Sequence, residues 1–163
     1  MQNPSQSTLD VIYESWRGYG EKLRDCIAPL TSEQLQLQPA AHMWPLEQIV
    51  QHIISVRVGW FSYTLQEEDE AIREYGAWGQ RESPSRSAAE LVRGLDDTWA
   101  FIEARLQRWT PADCAVTFPD EWEGQVYQVS RSWVIYHVME HDLHHGGEVS
   151  LILGMNGLRT PDL

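Results

Sequence analysis

Features that would place this chain outside the small globular proteins are missing from its sequence. No apolar run approaches the roughly 20 residues that cross a membrane as a helix. Residues 1–7 are polar and lack the basic start and apolar core of a secretion signal. There is no internal repeat and no low-complexity tract. We therefore expect one cytoplasmic domain over residues 1–163, with enough chain to bury a core and no membrane partner.

Positive charge and cysteine are also scarce. Lys and Arg number 12 against 24 Asp and Glu, which gives a net charge of −12. Because an acidic surface without a basic run repels phosphate backbones, we expect no nucleic-acid partner. The two cysteines, Cys26 and Cys114, lie far apart and lack the paired spacing of a thiolate metal site, so we expect ordinary core or surface residues.

Apolar residues recur at helical spacing in four long stretches. The predicted helices run from about Thr8 to Ala28, Pro45 to Gln66, Ser87 to Trp109, and Ser130 to Leu153. Before the last of these, residues 115–127 predict a short β-hairpin or extended loop. Four long amphipathic helices with this connection indicate an all-α four-helix bundle.

Shorter signals lie between these helices. Capping-box patterns from Thr31 to Gln34 and from Ser87 to Glu90 predict a short helical turn and the start of the third long helix. Residues 67–70 form an acidic run, which is expected to be a solvated helix end or loop. The chain from there to Ser85 has little periodicity and predicts a long excursion of the kind that is often functional or mobile. Arg57 falls inside an apolar stripe, so its guanidinium either extends out to solvent or meets a carboxylate inside the protein; the first interpretation is favoured.

Histidine is concentrated in the last predicted helix, where four of the six histidines fall within nine residues. His141 and His145, one turn apart, share an apolar stripe and could place two ring nitrogens on one metal. A single core histidine is usually satisfied by a backbone carbonyl or a buried water, which we expect for His137. His144 lies off the centre of the stripe and is expected to be solvated. Several buried imidazoles together are better satisfied by a shared metal.

A third ligand must come from a facing helix. His52 is the candidate, because it lies at the inward margin of the second predicted helix; the competitor His42 falls in a loop. Three histidines leave one coordination position open, which is typical of catalytic sites. Glu148, one turn beyond His145, could orient a ligand or act as a base on bound water, and is the catalytic candidate. The simpler alternative is that the Glu148 carboxylate is only attracted to a protonated histidine and has no catalytic part.

Known helical metal motifs are missing: there is no H-E-x-x-H, and no second helix supplies the Glu-x-x-His pairs of di-iron bundles. Three stretches do resemble the DinB family, of the DinB/YfiT-like superfamily. They are Leu30–Leu35 with Trp44–Ile53, the extended segment before the last helix, and His137–Glu148, which resembles H-x-x-x-H-x-x-x-H-R-G-Q.

The resemblance places the family's metal triad on His52, His141 and His145. It departs at Gly146, where the family has Arg, and at Glu148, where it has Gln; these changes remove a cation and add an anion beside the site. The resemblance implies a DinB/YfiT-type four-helix bundle, a homodimer, and a divalent metal, zinc or nickel. It also implies a small thiol cosubstrate held as thiolate on the metal.

The leading hypothesis is therefore a metal-dependent enzyme of unknown small-molecule substrate, which activates a small thiol or water for transfer or hydrolysis. The alternative is a non-catalytic metal-binding or stress-related binding protein whose histidine site is structural or empty. A plain helical interaction module ranks last because it leaves the histidines unexplained.

Overall fold

A computed structural model of the protein describes residues 7–80 and 83–161 and is mostly helical. The helices and strands are α1 (Thr8–Ile27), α2 (Ser32–Leu35), α3 (Leu46–Val58), α4 (Ala88–Leu106), α5 (Pro111–Cys114), β1 (Thr117–Trp122), β2 (Gln125–Ser130) and α6 (Arg131–Met155). None of the helices in these two ranges is both long and apolar enough to span a membrane.

Side-chain caps determine where the long helices begin. Ser7, Thr31 and Ser87 each form a complete capping box with the residue three positions on, so the two capping boxes predicted at Thr31 and Ser87 are confirmed. Ser130 caps α6 through its hydroxyl, which accepts from the Trp133 amide. Pro45 was predicted as the first helical residue but is the residue just before α3, in an extended conformation.

The second predicted helix changes from α-helical to π-helical geometry along its length. It is α-helical only to Val58 and continues as a π-helical segment, Gly59–Thr64. The excursion that follows contains a 3₁₀ segment, Glu70–Ala77, which the sequence pattern did not predict. This segment packs on α3 and buries Ile72 and Tyr75, so the excursion is part of the packed structure.

Buried Glu47 of α3 ties the chain on both sides of the excursion to this helix. Its carboxylate accepts from the Gln36 side chain at 2.5 Å, from the Gln51 side chain at 2.9 Å and from the Arg86 amide at 2.5 Å. Ser83 donates to Gln51 at 3.0 Å. A buried carboxylate needs several donors to offset its desolvation, and here they come from three segments of the chain.

The main core lies around α3. This helix packs against α4 and α6, and α1 packs against the same two helices. The apolar side chains at the centre are fully buried and come from all four: Leu23, Ile27, Val50, Ile53, Ile54, Leu91, Ile102, Val134, Val138, Ile152 and Leu153. This packing fixes the inward faces of α3 and α6 against each other.

The predicted hairpin is confirmed and is longer than the pattern indicated. β1 and β2 are antiparallel, from the pair Thr117–Ser130 at the base to Trp122–Gln125 at the tip. Glu123 and Gly124 form the two-residue turn, with φ of 52° and 74°, as two-residue hairpin turns of the primed types require. The hairpin leads directly into the first turn of α6.

Candidate metal centre

Three histidines from two helices converge. His52 comes from α3, and His141 and His145 come from successive turns of α6. One ring nitrogen of each lies within 4.8 Å of the others, and the Nε2 atoms of His52 and His141 are 3.0 Å apart. Two imidazole nitrogens bound to one tetrahedral zinc lie about 3.3 Å apart, given zinc–nitrogen bonds of about 2.0–2.1 Å. This donor set fits a divalent metal ion.

The environment keeps the His52 and His141 imidazoles neutral. Burial, together with the nearby His145 and His52 rings, lowers the pKa of His141 to about 3. Burial lowers the pKa of His52 as well, with a further contribution from His145. Neutral imidazole is the form that binds metals. Nδ1 of His141 is buried with no hydrogen-bond partner among the described residues, so protein groups do not satisfy the ring completely.

Glu148 is bonded to the third histidine. Its Oε2 lies 2.6 Å from Nδ1 of His145, while its Oε1 lies 3.8 Å from Nε2 of the exposed His144. A carboxylate at Nδ1 holds the proton there and leaves the Nε2 lone pair for a metal. His144, His145 and Glu148 form a second group that could hold a metal, which shares His145 with the first.

The other histidines stay outside the triad, and one expectation is corrected. His42 is exposed and His144 is solvated, as predicted. His137 was expected to be a satisfied core residue, but its ring is half-buried and stacks on Trp133 at 4.9 Å and 7°, with the edge of Trp60 at 4.8 Å. The wrong prediction arose because position 137 lies towards the flank of the buried stripe, next to two tryptophans.

A buried ion pair lies next to the triad, and it overturns the interpretation that Arg57 extends to solvent. Arg57 and Asp142 are 2 % and 1 % exposed, and Nη2 of Arg57 donates to Oδ2 of Asp142 at 2.8 Å. Trp16 of α1 donates to the same oxygen at 2.8 Å. The guanidinium also donates to the Leu95 carbonyl and the Thr98 hydroxyl of α4, at 3.2 and 3.3 Å.

This network joins all four long helices beside the histidines. Arg57 follows His52 by just over one turn on α3, and Asp142 directly follows His141 on α6. Sequence reasoning found Arg57 and missed Asp142, although a charged residue inside an apolar stripe is itself a signal that an opposite charge lies nearby.

The family assignment comes from comparison with known sequences. A sequence profile of the DinB superfamily matches residues 17–149, which include all three histidines and Glu148. This chain belongs to the DinB superfamily. No curated protein matches it.

Solved structures show the DinB-like fold. A DinB-like protein from Bacillus cereus ATCC 10987 superposes with a TM-score of 0.69 and 22% sequence identity, covering 97% of this chain and 98% of its own. A conserved protein from Enterococcus faecalis superposes with a TM-score of 0.67 and 13% identity, covering 92% of this chain and 99% of its own. At these identities the likeness shows the fold alone.

Gly146, which directly follows His145, has no room for a side chain. A Cβ added at Gly146 would lie 1.9 Å from the hydroxyl of Tyr19 and 2.7 Å from its ring, because α1 packs tightly against α6 there. Any side chain at this position, arginine included, would have to displace Tyr19. Burial raises the pKa of Tyr19 to about 12, so this phenol stays neutral beside the site.

Proposed function

We propose that this protein is a metal-dependent enzyme of the DinB type. His52, His141 and His145 bind one divalent ion, zinc or nickel, and the four long helices act as a DinB/YfiT-type bundle that holds these ligands. The observation that carries the proposal is the 3.0 Å separation of two Nε2 atoms on different helices, with a third histidine within reach. Adjacent donors on separate rigid helices are preorganised for one ion.

The proposed chemistry follows from the number of protein ligands that would bind the metal. A divalent ion with three protein ligands keeps a position for a small molecule and lowers the pKa of a thiol or water there. The imidazoles hold the ion, and Glu148 orients His145 through Nδ1. Glu148 is 37% exposed, so its carboxylate can also accept a proton from an incoming thiol or water. We therefore propose transfer of a small thiol or metal-assisted hydrolysis.

A non-catalytic role is the second candidate. The His52 and His141 rings already contact each other, so the cluster partly satisfies itself without an ion. In that case the protein would be a metal-binding or stress-related binding protein with a structural or empty site. A bound ion without exchangeable water, whose removal by chelator strongly destabilises the fold, would favour this candidate over the enzyme.

The first test is metal content by mass spectrometry on untagged protein purified without chelator. We expect about one zinc or nickel per chain in the wild type, and loss of that metal in His141→Ala and His145→Ala. His42→Ala is the matched control, since it removes an exposed histidine outside the triad. Stoichiometric metal in both triad variants would overturn the site assignment.

Glu148 is tested in the same preparations. Glu148→Gln keeps a hydrogen-bonding group near His145 but cannot take up a proton. We expect it to retain metal with an affinity lowered by about 10- to 100-fold, as is typical when a partner of a metal-bound histidine is changed. Unchanged metal affinity would show that Glu148 does not orient a ligand.

The homodimer and the cytoplasmic location also belong to this proposal. The homodimer rests on the family resemblance. Light scattering on the purified protein tests the dimer.

A further inference from the structure

Trp44 places a half-exposed indole against the proposed metal site. Its ring centroid lies 5.1 Å from that of His52, with the two planes at 72°, and 43% of the side chain is exposed. A large apolar ring that is left in water is unfavourable unless something covers it. The neighbouring Met43 is exposed to 44% and extends the apolar surface.

The loop that carries Trp44 is fixed. Met43 donates its amide to the Ala40 carbonyl at 2.9 Å, and Leu46 donates to the Leu37 carbonyl at 2.9 Å, which pins both sides of the tryptophan. Pro45 restricts the backbone directly after it. The indole is therefore held in place before any ligand arrives, and a ligand packing on it has little loop ordering to offset.

The backbone at Gly79 also approaches His52. A Cβ added at Gly79 would lie 2.2 Å from Oγ of Ser55 and 3.8 Å from Nδ1 of His52, so the contact that leaves no room for a side chain is with Ser55. Of these two neighbours of His52, Trp44 is the one that carries an aromatic ring, and this residue is 43% exposed.

The other tryptophans near the histidines are already paired. Trp133 stacks on His137 at 7°, and Trp60 places its edge against both rings, at 5.5 Å and 4.8 Å. In the described part of the chain, Trp44 has only His52 as an aromatic partner. Trp133 is also 42% exposed, but it contacts His137, which lies outside the triad, whereas Trp44 contacts His52, a proposed ligand of the metal.

We propose that the substrate carries a flat aromatic group next to its metal-binding head, and that Trp44 binds this group. This inference rests on the proposed function for the head group, because it assumes that the triad holds the ion. Stacking or edge contact with an indole strengthens binding by about tenfold over a small aliphatic group. Trp44 is then a specificity-determining residue of the site.

The test uses cobalt(II)-substituted protein, whose visible spectrum reports binding of a thiol. The wild type is titrated with 2-phenylethanethiol and with ethanethiol, which share the head group and differ in the ring. We expect the aromatic thiol to bind about tenfold tighter. Trp44→Ala should reduce that preference to about twofold or less, while Trp122→Ala, which removes a tryptophan exposed on the hairpin tip, should leave it unchanged. Thermal melting confirms that both variants fold.

Equal affinities for the two thiols in the wild type, or an unchanged preference in Trp44→Ala, would overturn the aromatic site and leave the metal site intact. Failure to bind cobalt would instead overturn the proposed function. Saturation-transfer NMR with 2-phenylethanol on chelator-treated protein then tests Trp44 alone. Transfer to the phenyl protons that Trp44→Ala abolishes supports the aromatic site, and its absence in the wild type contradicts it.

Discussion

At the scale of single residues, two rings of the histidine cluster, His52 and His141, stay neutral in a confined space. His141 and His52 contact each other through Nε2, and neither ring can be protonated without placing a positive charge against its neighbour in a half-buried site. The same neutrality prepares the rings for a metal. The energetic cost is that acid destabilises the metal-free protein, because these rings bind protons more readily in the unfolded chain than in the folded one.

This cost predicts a pH dependence of stability in the metal-free protein. The pKa of His141 is about 3 in the folded state against 6.5 for the unperturbed group, so the unfolded chain binds more protons between those values. Stability from this group is present above pH 6.5 and is lost as the pH falls from 6.5 towards 3. We expect the urea-unfolding free energy to fall more steeply from pH 7 to pH 5 in the chelator-treated wild type than in His141→Gln. Parallel slopes would show that His141 is not held neutral by the fold.

At the scale of helices, the Arg57–Asp142 pair connects the same two elements that carry the triad. Asp142 accepts from Arg57 of α3 and Trp16 of α1, and Arg57 also reaches the Leu95 carbonyl of α4. A buried pair of this kind contributes little net stability. We infer that it positions His52 relative to His141, on the neighbouring turns.

Breaking one side of the pair should therefore affect both stability and metal binding. Asp142→Leu leaves a buried guanidinium unpaired and should cost about 3–5 kcal/mol of unfolding free energy, whereas adding Arg57→Met to it should recover most of that loss. The measurement is urea unfolding of both single variants and the double variant.

The control variant is Ile102→Ala, which should lower stability without touching the ion pair. It truncates a fully buried side chain on α4 and should lower the unfolding free energy by about 2–5 kcal/mol. Metal affinity should fall at least tenfold more in Asp142→Leu than in Ile102→Ala. If equal losses of stability produce equal losses of affinity, the pair is a general stabiliser and does not position the ligands.

Local signals in the sequence predicted much of the helical framework. Capping boxes at Thr31 and Ser87 predicted helix starts to within one or two residues, because capping depends on neighbours only three positions away. The spacing of His141 and His145 predicted that they share a face for the same reason. Contacts between distant segments were harder to predict from the sequence. Neither the pairing of Asp142 with Arg57 nor the packing of Glu70–Ala77 on α3 can be read from spacing, because both depend on how helices cross.

At the scale of the whole molecule, an acidic protein of net charge −12 contains a partly buried cluster of three imidazoles. Several arginines form ion pairs away from the triad, and the carboxylate that contacts a triad histidine is Glu148. Carboxylates near the triad favour occupation by a cation. The overall charge, the neutral rings and the crossing of α3 with α6 are thus consistent with one metal ion at this place.

X-ray absorption spectroscopy at the metal edge of the zinc- or nickel-loaded protein tests this account most directly, because it counts the ligand atoms. The account predicts three imidazole nitrogens, seen through the multiple scattering of their rings, plus one or two lighter non-imidazole donors at about 2.0–2.2 Å. One imidazole should disappear in each of His52→Ala and His145→Ala. Sulfur from Cys26 or Cys114 in the first shell, or an unchanged imidazole count in the variants, would contradict it.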